Sequence, residues 1–177
     1  VYDRFGLFGG ENPAIMAHCV WSSEEEMERM KERGVFVAHC AQSNANLASG
    51  IAPVRRYMDL GLKVGLGSDV AGGVHTSIFR GMADAIMASK LRWRLVDDSL
   101  KPLTVEEAFY LGTRGGGAFF GKVGSLEKGF EFDAVVMDDS ILRSPRTLTL
   151  AERLERMIYL SESCRVEAKF VAGRRIF

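Results

Sequence analysis

The sequence predicts an α/β fold built on parallel strands, and three observations carry that prediction. Three short apolar runs, at residues 14–17, 35–38 and 63–67, are each followed by a helical pattern. The runs are apolar throughout rather than alternating, as expected for strands covered on both faces. Strand–helix alternation of this kind implies parallel strands joined by right-handed crossovers. The residues standing at the carboxyl ends of the runs are His18, His39 and the pair Ser68-Asp69. Ligands in parallel α/β folds gather at those ends.

Each element has a local reason. Ala14–Ala17 lies between Pro13 and His18. Ser22 or Ser23 then opens a helix, because Ser22 with Glu25 and Ser23 with Glu26 both fit a capping box. Three glutamates in the first turn suit the helix dipole, Met27 and Met30 form the apolar stripe, and Gly34 stops it. Val35–Ala38 carries β-branched and aromatic residues. Cys40–Gly50 reads as a polar loop. Pro53 starts a helix over Val54–Leu60 that Gly61 ends. Lys63–Gly67 is the third strand, and a glycine-rich loop through His75 leads into a long helix over about Ser77–Leu95.

The last third differs. Thr104 and Glu107 fit another capping box, and the helix they open runs toward Phe119-Phe120 through Gly115-Gly116-Gly117, where a break is plausible. A turn-rich stretch over Gly124–Gly129 precedes a strand in Phe132–Met137 and a helix over Leu150–Leu160. Val166–Val171 and Arg174–Phe177 flank Ala172-Gly173, which suits a tight hairpin. The predicted organisation is an α/β part over residues 1–122 and a small β part over residues 123–177.

Composition excludes several functions. Lys+Arg and Asp+Glu each number 23, giving a formal charge of +0, which argues against electrostatic capture of nucleic acid or an anionic membrane surface. No apolar run approaches the roughly 20 residues of a transmembrane helix. Three cysteines, Cys19, Cys40 and Cys164, are odd in number and far apart, which points to a reducing, cytoplasmic compartment rather than a disulfide framework. The first residue is Val rather than Met, and the aromatic start VYDRFGLFGG reads as a cut inside a longer protein.

The candidate sites are few. The two His-Cys pairs, His18-Cys19 and His39-Cys40, do not suit a structural zinc site. Strand neighbours point to opposite faces, and the chain has no C-x-x-C. Cys19 and Cys40 are expected to be buried, and His75 to be exposed in its loop. Gly72-Gly73 matches neither G-x-G-x-x-G nor a P-loop. Asp69 can serve as a metal ligand, a general base or a helix cap, and His18 as a functional or simply a buried imidazole. Together at one rim they suit activation of a water by a metal. Catalytic zinc usually takes three protein ligands, and the chain has no H-x-H.

Three strings carry a resemblance. Met16-Ala17-His18, then Val37-Ala38-His39-Cys40-Ala41-Gln42-Ser43-Asn44, then Gly65-Leu66-Gly67-Ser68-Asp69-Val70-Ala71-Gly72-Gly73, are similar to the later strands of the amidohydrolase superfamily. The third string is most similar to the guanine deaminases. Ser125–Gly129, Phe132–Val136 and Phe170–Arg174 resemble the family's return into its small β-sandwich and its closing hairpin.

The resemblance implies the C-terminal part of a metal-dependent (β/α)8 TIM barrel, from just before the sixth strand, plus part of a β-sandwich. It implies hydrolytic deamination of guanine to xanthine and ammonia by a metal-activated water, a purine substrate and a homodimer in the full-length protein. His18 matches the sixth-strand histidine that contacts the activated water. Asp69 matches the eighth-strand aspartate that is both a zinc ligand and the proton acceptor. His39 matches a seventh-strand histidine that is not a ligand. Ala41 replaces the family's proline, a local change in loop stiffness. The first-strand H-x-H, the fifth-strand histidine with its neighbouring glutamate, and an upstream arginine have no match, so the remaining zinc ligands are expected upstream of Val1. The 177-residue chain alone is expected to bind zinc weakly and to leave guanine unchanged. Alternatives are another aminohydrolase or chlorohydrolase of the superfamily, acting on modified adenosines or triazines, and a noncatalytic scaffold.

Overall fold

A computed structural model describes residues 1–177. It contains two three-stranded sheets, one parallel and one antiparallel. The parallel sheet has strands β1 (Ile15–Ala17), β2 (Phe36–His39) and β3 (Lys63–Leu66) in sequence order, each within about a residue of the expected run. The register pairs Ala17 with Ala38 and His39 with Leu66, so the three strands end nearly level. That alignment brings the residues after β1 and β3 to the same rim as the end of β2.

The helices begin where their caps predict. Helix α1 (Glu24–Arg33) has Ser23 as N-cap, with Ser23 and Glu26 exchanging both capping-box bonds, and Gly34 in the left-handed conformation at its end. Met27 and Met30 are its buried residues. Asp3, from the opening turn over Tyr2–Phe5, pairs with Arg29 and Arg33 and fixes that turn to α1.

The segment expected to be a polar loop after β2 is instead partly helical: α2 spans Ala41–Asn46. Its sequence, AQSNAN, has no apolar stripe, so periodicity could not reveal it. What stabilises this short helix is tertiary: Ala41, Ser43 and Asn44 are buried and the helix packs against α4 (Ile78–Leu95). Between them lies α3 (Val54–Asp59), preceded by Pro53 and followed by Gly61 in the left-handed region.

Helix α5 (Val105–Tyr110) carries the Thr104–Glu107 capping box, and it does not break at the glycines. It widens into a π-helical turn over Leu111–Gly115 and stays helical through Gly117. The glycines allow close approach to β3: a Cβ on Gly65 would lie 2.7 Å from Gly116 Cα, and one on Gly115 would lie 2.7 Å from the Val64 carbonyl oxygen. The cost of glycine in a helix is offset by that contact.

The antiparallel sheet is formed by β4 (Ala134–Asp138), β5 (Arg165–Val171) and β6 (Arg174–Arg175). Strand β4 begins two residues later than its apolar run, and a register shift falls between Val136 and Met137. Ala172 and Gly173 both have positive φ, 48° and 77°, as a type I′ hairpin requires. Helix α6 (Leu150–Tyr159) precedes this hairpin and packs on α4. Of 18 residues in the main core, 17 lie between Met27 and Leu111, and Ile158 of α6 is the remaining one.

Candidate active site

The site forms at the carboxyl ends of β1 and β3. His18 follows β1 directly, and its amide donates to the Ala38 carbonyl at 3.0 Å, continuing the parallel ladder by one bond. The chain then turns sharply, with His18 at φ 68° and Cys19 at φ 48°. Asp69, beyond β3, also has a positive φ of 48°. Left-handed backbone is uncommon at non-glycine residues, Asp and His adopting it more readily than most, and here it follows both strand ends.

These turns bring the two side chains together. His18 Nε2 lies 3.8 Å from Asp69 Oδ2, and the side chains remain 42% and 38% exposed. The pair is therefore open to solvent and too far apart for a direct hydrogen bond.

Helix α2 supports both groups. Ser43 Oγ donates to Asp69 Oδ2. Asn44 Oδ1 lies 2.8 Å from His18 Nδ1. An amide oxygen only accepts, so with this orientation Nδ1 carries the imidazole hydrogen and Nε2 presents its lone pair toward the carboxylate. Two further α2 side chains hold the loop after Asp69: Asn46 Nδ2 donates to the Gly72 carbonyl at 2.8 Å, and Gln42 Oε1 accepts from the Val74 amide at 2.9 Å. Gly72 lies so close that a Cβ there would stand 2.7 Å from Asp69 Oδ2 and 3.0 Å from Ser43 Oγ. The Gly72-Gly73 pair serves the carboxylate's surroundings rather than a phosphate.

The other histidines stand apart from this pair. His39 ends β2 but is 2% exposed, and neither ring nitrogen has a hydrogen-bond partner. Burial holds it neutral, pushing its pKa down to about 4. His75, expected to be exposed, is instead tucked against α4, with Nε2 2.7 Å from Asp84 Oδ2. Cys40 is buried as expected, whereas Cys19 is only half-buried. Burial raises both thiols, Cys19 to about 11, which leaves them protonated and poorly nucleophilic at neutral pH.

As metal donors, the residues present fit in part. A carboxylate oxygen and an imidazole nitrogen are both suitable for zinc and point into one space. No cluster of three or more His, Cys, Asp and Glu side chains completes a metal site within the chain. Gln42, Ser43, Asn44 and Asn46 are the supporting residues, in a stretch whose composition predicted only a polar loop. Their signal was a run of short polar side chains directly after an apolar strand.

Parallel strands with an imidazole and a carboxylate converging at their carboxyl ends place this chain among the α/β proteins, whose ligands gather at that rim. The chain belongs to the amidohydrolase family, whose profile matches residues 5–176. It is similar to guanine deaminase of Dictyostelium discoideum, with 34% identity over 99% of this chain and 40% of that protein. It is also similar to the crystal structure of guanine deaminase from C. acetobutylicum with guanine bound in the active site. There the TM-score is 0.92 at 47% identity, covering 99% of this chain and 42% of the other. A zinc-bound adenosine deaminase from Xanthomonas campestris has a TM-score of 0.79 at 27% identity, covering 98% of this chain and 38% of that one. The chain thus spans about two fifths of the length of the proteins it matches. No helix is long and apolar enough to cross a membrane.

Proposed function

We propose that this chain supplies one part of the active site of an enzyme that hydrolyses guanine to xanthine and ammonia. The observation that carries the reading is the convergence of His18 Nε2 and Asp69 Oδ2 at 3.8 Å, two electron-pair donors facing one solvent-accessible space. Each keeps an electron pair available in that space to a cation or to a hydrogen donor. The likeness to the guanine-bound structure supports guanine as the substrate.

In this reading residues 1–122 are three consecutive units of a (β/α)8 barrel, and residues 123–177 belong to a small β-sandwich. The protein is cytoplasmic and acts on a free purine as a homodimer. A divalent metal, zinc by likeness to the zinc-bound relative, would take the Asp69 carboxylate as one ligand, with further ligands from residues outside this chain. Its chemical contribution is to lower the pKa of water toward about 7. His18 Nε2 would accept a hydrogen bond from the attacking water and fix its direction. Asp69 takes the proton as the oxygen attacks the amino-bearing carbon of guanine. The same proton then serves the departing amine, so ammonia leaves with the C–N bonding pair, and the hydroxyl proton left on that carbon moves to the ring nitrogen to give xanthine.

The 177-residue chain by itself holds too few ligands for tight zinc and is expected to be inactive. The test is ammonia release by the natural protein that contains this chain, offered guanine, 5′-deoxyadenosine and a chlorotriazine in parallel. The reading predicts turnover of guanine far above the others. Preferred turnover of either alternative refutes it.

A further inference from the structure

We infer that Asn44 is a positioning residue that holds His18 as the Nδ1–H tautomer and so keeps its imidazole from closing onto Asp69. This inference rests on the proposed roles of His18 and Asp69. A neutral imidazole carries its hydrogen on either nitrogen, and the partner of one nitrogen decides the state of the other. With the hydrogen on Nε2, the ring would face a carboxylate 3.8 Å away. A donor at that distance from an anion closes to a direct bond of about 2.8 Å. The closed pair would occupy the space in which water must sit, and would consume the lone pair that directs it.

With the Asn44 amide oxygen facing the ring, two adjacent side chains support the opposite arrangement. Asn44 is 2% exposed and places Oδ1 2.8 Å from His18 Nδ1. Its own backbone is fixed at both ends: its amide donates to Cys40 and its carbonyl accepts from Ser49. Ser43, fully buried, donates to Asp69 Oδ2 from the same helix. The imidazole and the carboxylate are therefore both held from α2, and the gap between them is set by one rigid dipeptide. A buried amide that offers its oxygen to an imidazole selects the tautomer by chemistry, which an apolar side chain of equal volume cannot do.

The tautomer is read directly from the imidazole nitrogen shifts of the 15N-labelled chain at a pH where the ring is neutral. His18, His39 and His75 are distinguished by replacing each with Gln. The expected result is a protonated Nδ1 and an unprotonated Nε2 at His18. Asn44→Leu should move the hydrogen to Nε2, and Asn44→Asp, which keeps an oxygen in place, should leave it on Nδ1. In the natural protein, Asn44→Leu should lower kcat for guanine by roughly 10- to 100-fold with KM unchanged, and Asn44→Asp should restore most of it. A hydrogen on Nε2 in the unaltered chain overturns the inference, as does an unchanged tautomer or kcat in Asn44→Leu. Should Asn44→Leu not fold, Asn44→Ala removes the same oxygen with less bulk and decides by the same two readouts. A protein that shows the expected tautomers but does not act on guanine supports this inference and refutes the substrate reading.

Discussion

Strand β2 and strand β5 each lie at the centre of a three-stranded sheet, yet they use their side chains differently. In β2, Phe36, Val37 and His39 are all buried, because neighbouring elements cover both faces. In β5 only Ala168 of seven residues is buried, and the strand alternates between exposed and covered positions. The contrast follows connection type. Parallel strands need helical crossovers, which cover the sheet, whereas an antiparallel hairpin brings no cover of its own. The covered sheet is the one whose strand ends hold an imidazole and a carboxylate in left-handed turns. Rigid burial on one side of the strand ends allows solvent-open chemistry on the other.

The sharpest way to break this contrast is at Ile158, fully buried and the one residue of the main 18-residue core that lies beyond Leu111. Ile158→Ala should lower stability by roughly 2–5 kcal/mol. Hydrogen exchange should show the loss in α6 and the antiparallel sheet, with β2 still protected. Uniform loss of protection would mean that the two sheets share one cooperative unit.

His39 tests what full cover costs. Its pKa is about 4 in the fold and about 6.5 in an unfolded chain, so between these values the unfolded chain takes up a proton that the folded one refuses. Stability should therefore fall as pH drops from about 6.5 to 4, by up to about 3 kcal/mol from this residue. His39→Leu should flatten that part of the profile of urea midpoint against pH. An unchanged slope would show that His39 takes up its proton while folded.

Gly65→Ala probes the close approach of β3 to the π-helical turn. The added methyl carbon meets Gly116 Cα at 2.7 Å, so a loss of roughly 1–3 kcal/mol is expected in thermal unfolding. The smallest effect belongs to the half-covered region. Thr149→Ala removes the capping hydroxyl of α6 and should cost about 1 kcal/mol, with no change at the His18–Asp69 pair.

Much of this architecture was legible in the residues because the signals were local. Ser23-x-x-Glu26 and Thr104-x-x-Glu107 are capping boxes in the structure as in the sequence, and Ala172-Gly173 is the hairpin turn. His18 and Asp69 could be placed at strand ends because apolar runs end abruptly there. What was not legible depends on contacts distant in sequence. Helix α2 has no stripe to announce it and is held by packing on α4. The glycines after Leu111 look like a helix breaker until β3 is seen lying against them. His75 sits in a loop whose composition suggests exposure, and only the fold brings Asp84 to it. The supporting roles of Ser43 and Asn44 likewise require the register that sets β2 between β1 and β3.

The central claim is that Asp69 and His18 form the proton-handling edge of a guanine-hydrolysing site. It is tested most directly by following ammonia release from guanine in the natural protein and in its Asp69→Asn variant. Asp69→Asn keeps the volume and removes the charge and the proton acceptor, so a loss of at least roughly 10³-fold in kcat is expected. Ammonia release at the unaltered rate would contradict the account.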